Sequence, residues 1–390
     1  MGRFLNTLST WVVIMIFACL SAFAQNLLQS NDADNAVHCR QLEGIPVSLE
    51  AGQASKYAVS GELCATKDEL ADGTTMQLLI HGATYNQDYW DFGRIDGNNY
   101  SYARYVAAHG FPTFALNQLG AADSSHPASA DLTIQAMASV AHQIVQGLRN
   151  GSIADIQFGK IIIVGHSLGS VVVWEEAIKY ADVDGVIITG AAHSITTRFL
   201  KANLFYPAID DPKFKHSGLD TGYLTTIPNS RAVAFYSFPD ADPNVTANDE
   251  QRKDLVSLTE LQTGLPIVTS KDSLAIQVPV LTILGGHDFT TCGPNPQGGN
   301  FECSSGTAVA MQEAPFYSPQ AKIHGCVIPD SGHSVNLAVN HRLAAADTVA
   351  WSFAFVGQQS LFSTQDLDRG NRGRPWNDGL PSNCGSASAN

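Results

Sequence analysis

The chain has 390 residues, 44% hydrophobic and 15% charged, enough apolar material for one large or two modest folded units and too little charge for a disordered chain. Its formal net charge of −14 argues against nucleic acid or an anionic membrane surface as a partner, because both recruit basic patches.

At the N-terminus Arg3 precedes the apolar run from Trp11 to Leu20, and Ala22-Phe23-Ala24 supplies a small-residue cleavage signal ahead of Gln25. The run is too short to span a bilayer, so residues 1–24 read as a signal peptide for export, extracellular or periplasmic, with no stable membrane span expected. Cleavage removes Arg3 and Cys19, making the chain one unit more acidic and leaving Cys39, Cys64, Cys292, Cys303, Cys326 and Cys384. An even cysteine count in an exported chain implies disulfides. Proximity in sequence pairs Cys39 with Cys64 and Cys292 with Cys303, leaving Cys326 for Cys384. No C-x-x-C pair occurs, so no metal site is expected. Asn99, Asn150 and Asn244 head N-x-[ST] sequons, which are glycosylation acceptors only in a eukaryotic secretory pathway.

Residues 25–37 are polar, and Val47 to Thr66 holds short alternating segments that read as antiparallel strands, so residues 25–74 form an N-terminal strand region. Short apolar runs follow at Met76–Ile80, Thr113–Leu116, Ile161–Val164, Gly185–Thr189, Val280–Leu284 and Ala321–Ile328, the pattern of strands buried on both faces. Helical segments at Ser101–His109, Leu132–Arg149 and Leu168–Tyr180 alternate with them. The fold class is therefore α/β, a mostly parallel central sheet flanked by helices.

Residues 191–278 interrupt this alternation with many aromatics and prolines and read as an inserted cap, dividing the core into residues 75–190 and 279–356. Thr291 to Pro319, rich in Gly, Pro and Ser, reads as a surface loop stapled by Cys292 and Cys303. Val335 to Val356 reads as one long helix, and residues 357–390 as a polar C-terminal tail.

The chemistry gathers at strand ends. Ile161–Val164 runs into Gly165-His166-Ser167-Leu168-Gly169 and then a helix; two glycines let the chain turn sharply and push the Ser167 hydroxyl out at the sheet edge. A serine nucleophile needs a base and a group that orients it. The strand ending at Ile328 delivers His333 as base, and the strand ending at Leu284 delivers Asp288 as orienting acid. Asp182 and Asp184 precede their strand, and Asp330 lies so near His333 that it shapes the turn instead. Oxyanion donors are expected from the backbone N–H of Leu168 and, after Met76–Ile80, of Ala83 in His81-Gly82-Ala83-Thr84.

Through HGAT, GHSLG, GGHD and DSGH, in the order Ser, Asp, His, the chain resembles the α/β-hydrolase fold family, as a secreted serine esterase or lipase-like member. The resemblance covers roughly residues 75–190 and 279–356 and places the cap where that family commonly inserts one. The separation of 45 residues from Asp288 to His333 exceeds the family's usual spacing, and the cysteine-bracketed loop accounts for the excess. His81 in such HG loops is usually structural. Candidate pocket residues are Thr84, Tyr85, His166 and His193, with a packed role for His193 weighed equally.

The function this implies is a secreted serine hydrolase cleaving a carboxylic ester with an apolar acyl or aromatic portion through an acyl-enzyme, its partner a small-molecule or lipid-like ester. A lactonase, thioesterase, acyltransferase or carbon–carbon hydrolase can use the same triad, and a non-catalytic binding protein can keep the same fold. No cofactor is expected, since neither G-x-G-x-x-G nor a Walker sequence follows Val164. Composition leaves the oligomeric state open.

Overall fold

The computed structural model describes residues 36–67, 70–357 and 383–387. Residues 1–24, expected to be a signal peptide, and most of the C-terminal tail lie outside the described residues. No helix among the described residues is long and apolar enough to cross a membrane.

A nine-stranded sheet organises the chain, with strands β1 (His38–Val47), β2 (Tyr57–Ala65), β3 (Thr75–Ile80), β4 (Thr113–Asn117), β5 (Lys160–His166), β6 (Gly185–Thr189), β7 (Val280–Gly285), β8 (His324–Ile328) and β9 (Cys384–Ser386). Their spatial order is β1-β2-β4-β3-β5-β6-β7-β8-β9. The run from β4 to β8 is parallel throughout, and β1, β2 and β9 are antiparallel additions at the two edges. Every residue of β3, β4, β6, β7 and β8 is buried, as their unbroken apolar runs require.

Successive side chains of β5 feed opposite cores. Ile161 and Ile163 pack in the cluster holding helices α2 (Ile134–Asn150) and α3 (Leu168–Lys179). Ile162 and Val164 pack in the cluster holding α1 (Tyr102–Ala108) and α7 (Arg342–Phe355). Helix α2 shows why such segments form: Ile134, Met137, Ala138, Ala141, Ile144, Val145 and Leu148 make one apolar stripe at helical spacing. Thr133 caps its start by accepting from the Ala136 amide, and Gly151 ends it at φ 81°.

Two expectations need correcting. The stretch from Thr291 to Pro319 is more than a loop, because it contains helix α6 (Gly306–Glu313), N-capped by Ser305 and packed on β8 and β9. The small residues that read as loop are what allow this approach: a Cβ on Gly325 of β8 would lie 2.4 Å from the Gly306 carbonyl oxygen. The segment from Val335 to Val356 is not one helix. A 3-10 turn spans Val335–Leu337 and α7 starts only at Arg342, because the Val339 and Asn340 amides donate to Asp240 instead of to a helical turn.

Between β6 and β7 lie a three-stranded antiparallel sheet (Phe205–Pro207, Tyr223–Thr226, Val256–Ser257), short helices at Thr197–Lys201 and Ser230–Ala234, and helices α4 (Pro243–Arg252) and α5 (Leu258–Val268). Ser257 and Glu260 form a capping box at the start of α5.

Disulfides join Cys39 to Cys64, Cys292 to Cys303 and Cys326 to Cys384. Of the sequon residues, Asn150 and Asn244 are exposed and Asn99 is buried.

Candidate active site

The loops that leave the C-terminal ends of β3, β5, β7 and β8 converge, the usual place for a site on an open α/β sheet. At the end of β5, Ser167 adopts φ 53° and ψ −120°, a strained backbone for a residue with a side chain. Its amide donates to the Thr189 carbonyl at 2.8 Å, and its carbonyl accepts from Ser170 at 2.9 Å as α3 begins. A Cβ on Gly169 would lie 2.4 Å from the carbonyl oxygens of Ile80 and His81, so only glycine lets this turn touch the end of β3.

His333 and Asp288 meet as a buried pair. The His333 Nδ1 lies 3.0 Å from Asp288 Oδ2 and 3.2 Å from Oδ1. Asp288 is fully buried and His333 nearly so. The carboxylate is held from its other side: Oδ1 accepts from the Thr290 amide at 2.7 Å, the Thr290 hydroxyl at 2.7 Å and the Thr291 amide at 3.2 Å. Thr290 Oγ1 is also 3.0 Å from His333 Nδ1, so the ring proton meets three oxygens. Sequence reasoning missed Thr290 and Thr291. The signal was there in Asp288-Phe289-Thr290-Thr291, since an aspartate accepting from the amide two residues on is an Asx-turn.

The acids set aside in the sequence lie elsewhere. Asp182 and Asp184 bond His142 and Arg149, and Asp330 is an exposed turn residue at φ 59°.

Ser167 and His333 open on one cavity of about 430 Å³, together with Ala83, Leu168, Thr290 and Thr291. The rest of its wall is almost wholly apolar: Val171 from α3, and Ala191, Ala192, Phe199, Leu204, Phe205, Leu224, Phe235, Leu261 and Val268 from residues 191–278. Leu200, Leu258 and Leu265 also line it while remaining exposed. No acceptor among the described residues takes the amide hydrogen of Ala83 or of Leu168, whereas the Thr84 amide is used by Leu255.

Of the candidate pocket residues, Tyr85 lines the cavity and Thr84, His166 and His193 do not. Thr84 turns away toward Arg231. His166 lies beneath the Ser167 turn, stacked on Tyr89 at 4.1 Å, its Nδ1 donating to Thr189 Oγ1 at 3.2 Å. Burial first, and the nearby His333 second, hold its pKa well below the ordinary histidine value, so it is a neutral packing group. His193 packs behind the wall between Trp174 and Phe316, bonded to Glu313 at 2.8 Å and to Ser273 at 2.9 Å.

His81 fixes the β3 loop. Its Nδ1 donates to the Gly82 carbonyl at 2.9 Å, and its Nε2 accepts from the Gln118 amide at 3.2 Å. Full burial lowers its pKa to about 4.

Sequence reasoning also missed Arg231 and Asp249, a fully buried ion pair at 2.8 Å whose arginine bonds Thr84 and stacks on Tyr85. No local motif marks these residues, which are distant in sequence from the ends of the parallel strands that carry the site.

A family model described as the alpha/beta hydrolase family matches residues 77–346. Solved structures of similar fold include a soluble variant of monoglyceride lipase from Saccharomyces cerevisiae, at 14% identity and TM-score 0.53, covering 79% of this chain and 94% of that one. A carboxylesterase from Bacillus subtilis aligns at 17% identity and TM-score 0.50, covering 85% of this chain and 96% of that one. An alpha/beta hydrolase fold protein from Chitinophaga pinensis aligns at 14% identity and TM-score 0.50, covering 80% and 98% respectively. No curated protein sequence matches the chain. With more than half of its length matched by the family model, the chain belongs to the alpha/beta hydrolase family.

Proposed function

We propose that the protein is an exported serine hydrolase that cleaves carboxylic esters with an apolar acyl or aromatic portion. The observation that carries the reading is the buried Asp288–His333 pair opening on the same apolar cavity as the strained Ser167, beside two amides without an acceptor.

In this reading His333 Nδ1 is committed to Asp288, which leaves Nε2 to take the proton of Ser167 Oγ as the oxygen attacks the ester carbonyl. The carbonyl oxygen becomes an oxyanion that the Ala83 and Leu168 amides receive, helped by the positive end of α3. His333 then gives the proton to the leaving alcohol, and an acyl group remains on Ser167. Water, deprotonated by His333, attacks this ester and restores the serine. Asp288 keeps the imidazole in one tautomer and stabilises it once charged.

The cavity size falls in the range of small-molecule sites, roughly 300–1,000 Å³. Its lining supports an acyl or aryl group, since a charged substituent would lose its hydration against Leu204, Leu224 and Phe199. Residues 191–278 act as the cap that supplies this surface. Three disulfides and the segment 1–24 support export.

The test is a serine-directed fluorophosphonate probe followed by p-nitrophenyl esters of rising chain length. The wild type should be labelled and Ser167→Ala should not, with turnover rising from acetyl toward longer acyl groups. Equal labelling of Ser167→Ala would remove the nucleophile assignment. Labelling without turnover on any ester would remove the substrate class alone.

A further inference from the structure

Outside the cavity, three potential metal-ligating side chains meet where the middle of α2 faces the C-terminal end of α3. His142 of α2, Glu176 of α3 and Asp182, in the loop leading to β6, each offer one ligand atom, all within 4.8 Å of one another. The other two clusters of this kind among the described residues include cysteines already consumed by disulfides. Here no ligand is tied up in a disulfide; His142 Nδ1 lies 2.8 Å from Asp182 Oδ2, a contact between two of the ligands that a cation would replace.

The unusual member is Glu176. It has no solvent exposure, and neither of its carboxylate oxygens has a hydrogen-bond partner among the described residues. Oδ1 of Asp182 is likewise without one. Two carboxylates thus face each other in a buried place, an arrangement that requires a positive charge or a shared proton. Arg149 is not that charge: its guanidinium is spent on the Asp182 and Gly159 carbonyls and on the Asp184 carboxylate.

We propose that His142, Glu176 and Asp182 form a binding site for one divalent transition cation, Zn²⁺ by its donor set, which ties α2 to α3. One imidazole nitrogen and two carboxylate oxygens are ordinary zinc ligands, and two carboxylates balance the charge of the ion. A water completes a tetrahedron. The side chains of His142 and Asp182 are 21% and 17% exposed, which gives the ion and its water a way in from solvent. The His142 ring is held by stacking on Tyr180 at 3.9 Å, and Gln146 orients the Asp182 carboxylate. Ligand atoms around tetrahedral zinc lie roughly 3.3 Å apart, so the site closes by small side-chain rotations. The ion would take the place of a proton shared between the two carboxylates: as the zinc–carboxylate bond forms, the O–H bond breaks and the proton leaves to solvent.

The test uses the full mature protein, stripped with EDTA and desalted, then titrated with ZnCl₂ by calorimetry and thermal unfolding, with Co²⁺ as a spectroscopic probe. Expected are about one Zn²⁺ per chain, a Tm rise that saturates at that ratio, and Co²⁺ visible bands of tetrahedral intensity. Glu176→Gln, whose amide can donate to Asp182 and so preserve the fold, should weaken Zn²⁺ binding roughly tenfold or more, as should His142→Gln. Absence of saturable binding in the wild type, or wild-type affinity in either variant, would overturn the site and leave a shared proton between the two carboxylates. Fluorophosphonate labelling of Ser167 is independent of either result.

Discussion

The guanidinium of Arg231 donates to both the carbonyl and the hydroxyl oxygen of Thr84, at 3.2 and 2.7 Å, from a position with no solvent exposure. Thr84 follows Ala83, whose amide is the proposed second oxyanion donor, and its φ of 59° is one that threonine rarely adopts. Two further bonds, between the Thr84 amide and the Leu255 carbonyl and between the Asp254 amide and the Thr84 carbonyl, bring the same loop against residues 254–255. Residues 191–278, which line much of the cavity, therefore also hold the loop that carries the proposed oxyanion donor. Arg231→Lys keeps a charge opposite Asp249 but cannot reach both partners, because lysine lacks the planar fork. We expect kcat on a soluble short-chain ester to fall about tenfold to a hundredfold with a smaller change in KM, the cost of misplacing a transition-state donor. Steady-state kinetics alongside a melting curve separates this from unfolding, and an unchanged kcat would show that Thr84 keeps its place without the arginine.

Thr290 should matter through Asp288. Its hydroxyl donates to a buried carboxylate that otherwise relies on two amides and His333. Thr290→Val preserves the shape and removes the donor, so a hydrogen bond to a charged group worth about 1.5–3 kcal/mol is lost. The expected result is a fall in kcat/KM of roughly tenfold or more, read on the same ester, with fluorophosphonate labelling slowed but not abolished. Full activity in Thr290→Val would place the hydroxyl outside the chemistry.

Much of this site is legible in the sequence because strand ends are local signals. Apolar runs ending in HGAT, GHSLG, GGHD and DSGH name the positions that the sheet brings to one edge, and parallel pairing of neighbouring strands does the rest. The strand order is not legible, since β4 crossing to lie between β2 and β3 depends on which faces the helices cover. Strand β1 was also hidden. It lies at the sheet edge and half exposed, so its alternation is weak and it begins at His38, well before the segment that reads as strand. Helix α6 was hidden for the opposite reason: glycine and serine look like loop, but here they admit close packing on β8. Arg231 is invisible for want of any spacing rule that links it to Thr84.

The Cys326–Cys384 bond joins β8 to β9, adjacent strands of the sheet, across 58 residues of sequence. Cross-linking a loop of that length lowers the entropy of the unfolded chain by an amount equivalent to about 4 kcal/mol. Cys326→Ala combined with Cys384→Ala should lose stability of that order in urea unfolding, together with the small cost of trimming a buried side chain. Strand β8 leads directly to His333, so thermal loss of activity should follow the same shift. A variant unfolding at the wild-type midpoint would mean that β9 holds to β8 by its ladder alone.

His81 gives the fold an acid limit near the site. Its Nε2 accepts from the Gln118 amide and its Nδ1 donates to Gly82, so a second ring proton would have to displace an N–H donor in a fully buried place. The folded pKa is about 4, against about 6.5 for an exposed histidine. Between these values the unfolded chain binds a proton that the folded chain does not, so stability falls as pH drops from about 6.5 toward 4 and levels off below. The interval amounts to about 3 kcal/mol for this one group. His81→Asn does not titrate in this range. It should be less stable than the wild type at pH 7, having lost its fit between Gly82 and Gln118, and its deficit should shrink by about 3 kcal/mol by pH 4. Urea unfolding of both proteins at several pH values reads the difference directly, which cancels the contributions of His166, His324 and His341, also lowered by burial. A deficit that stays constant with pH would show that the folded protein takes up a proton at His81 as readily as the unfolded chain does.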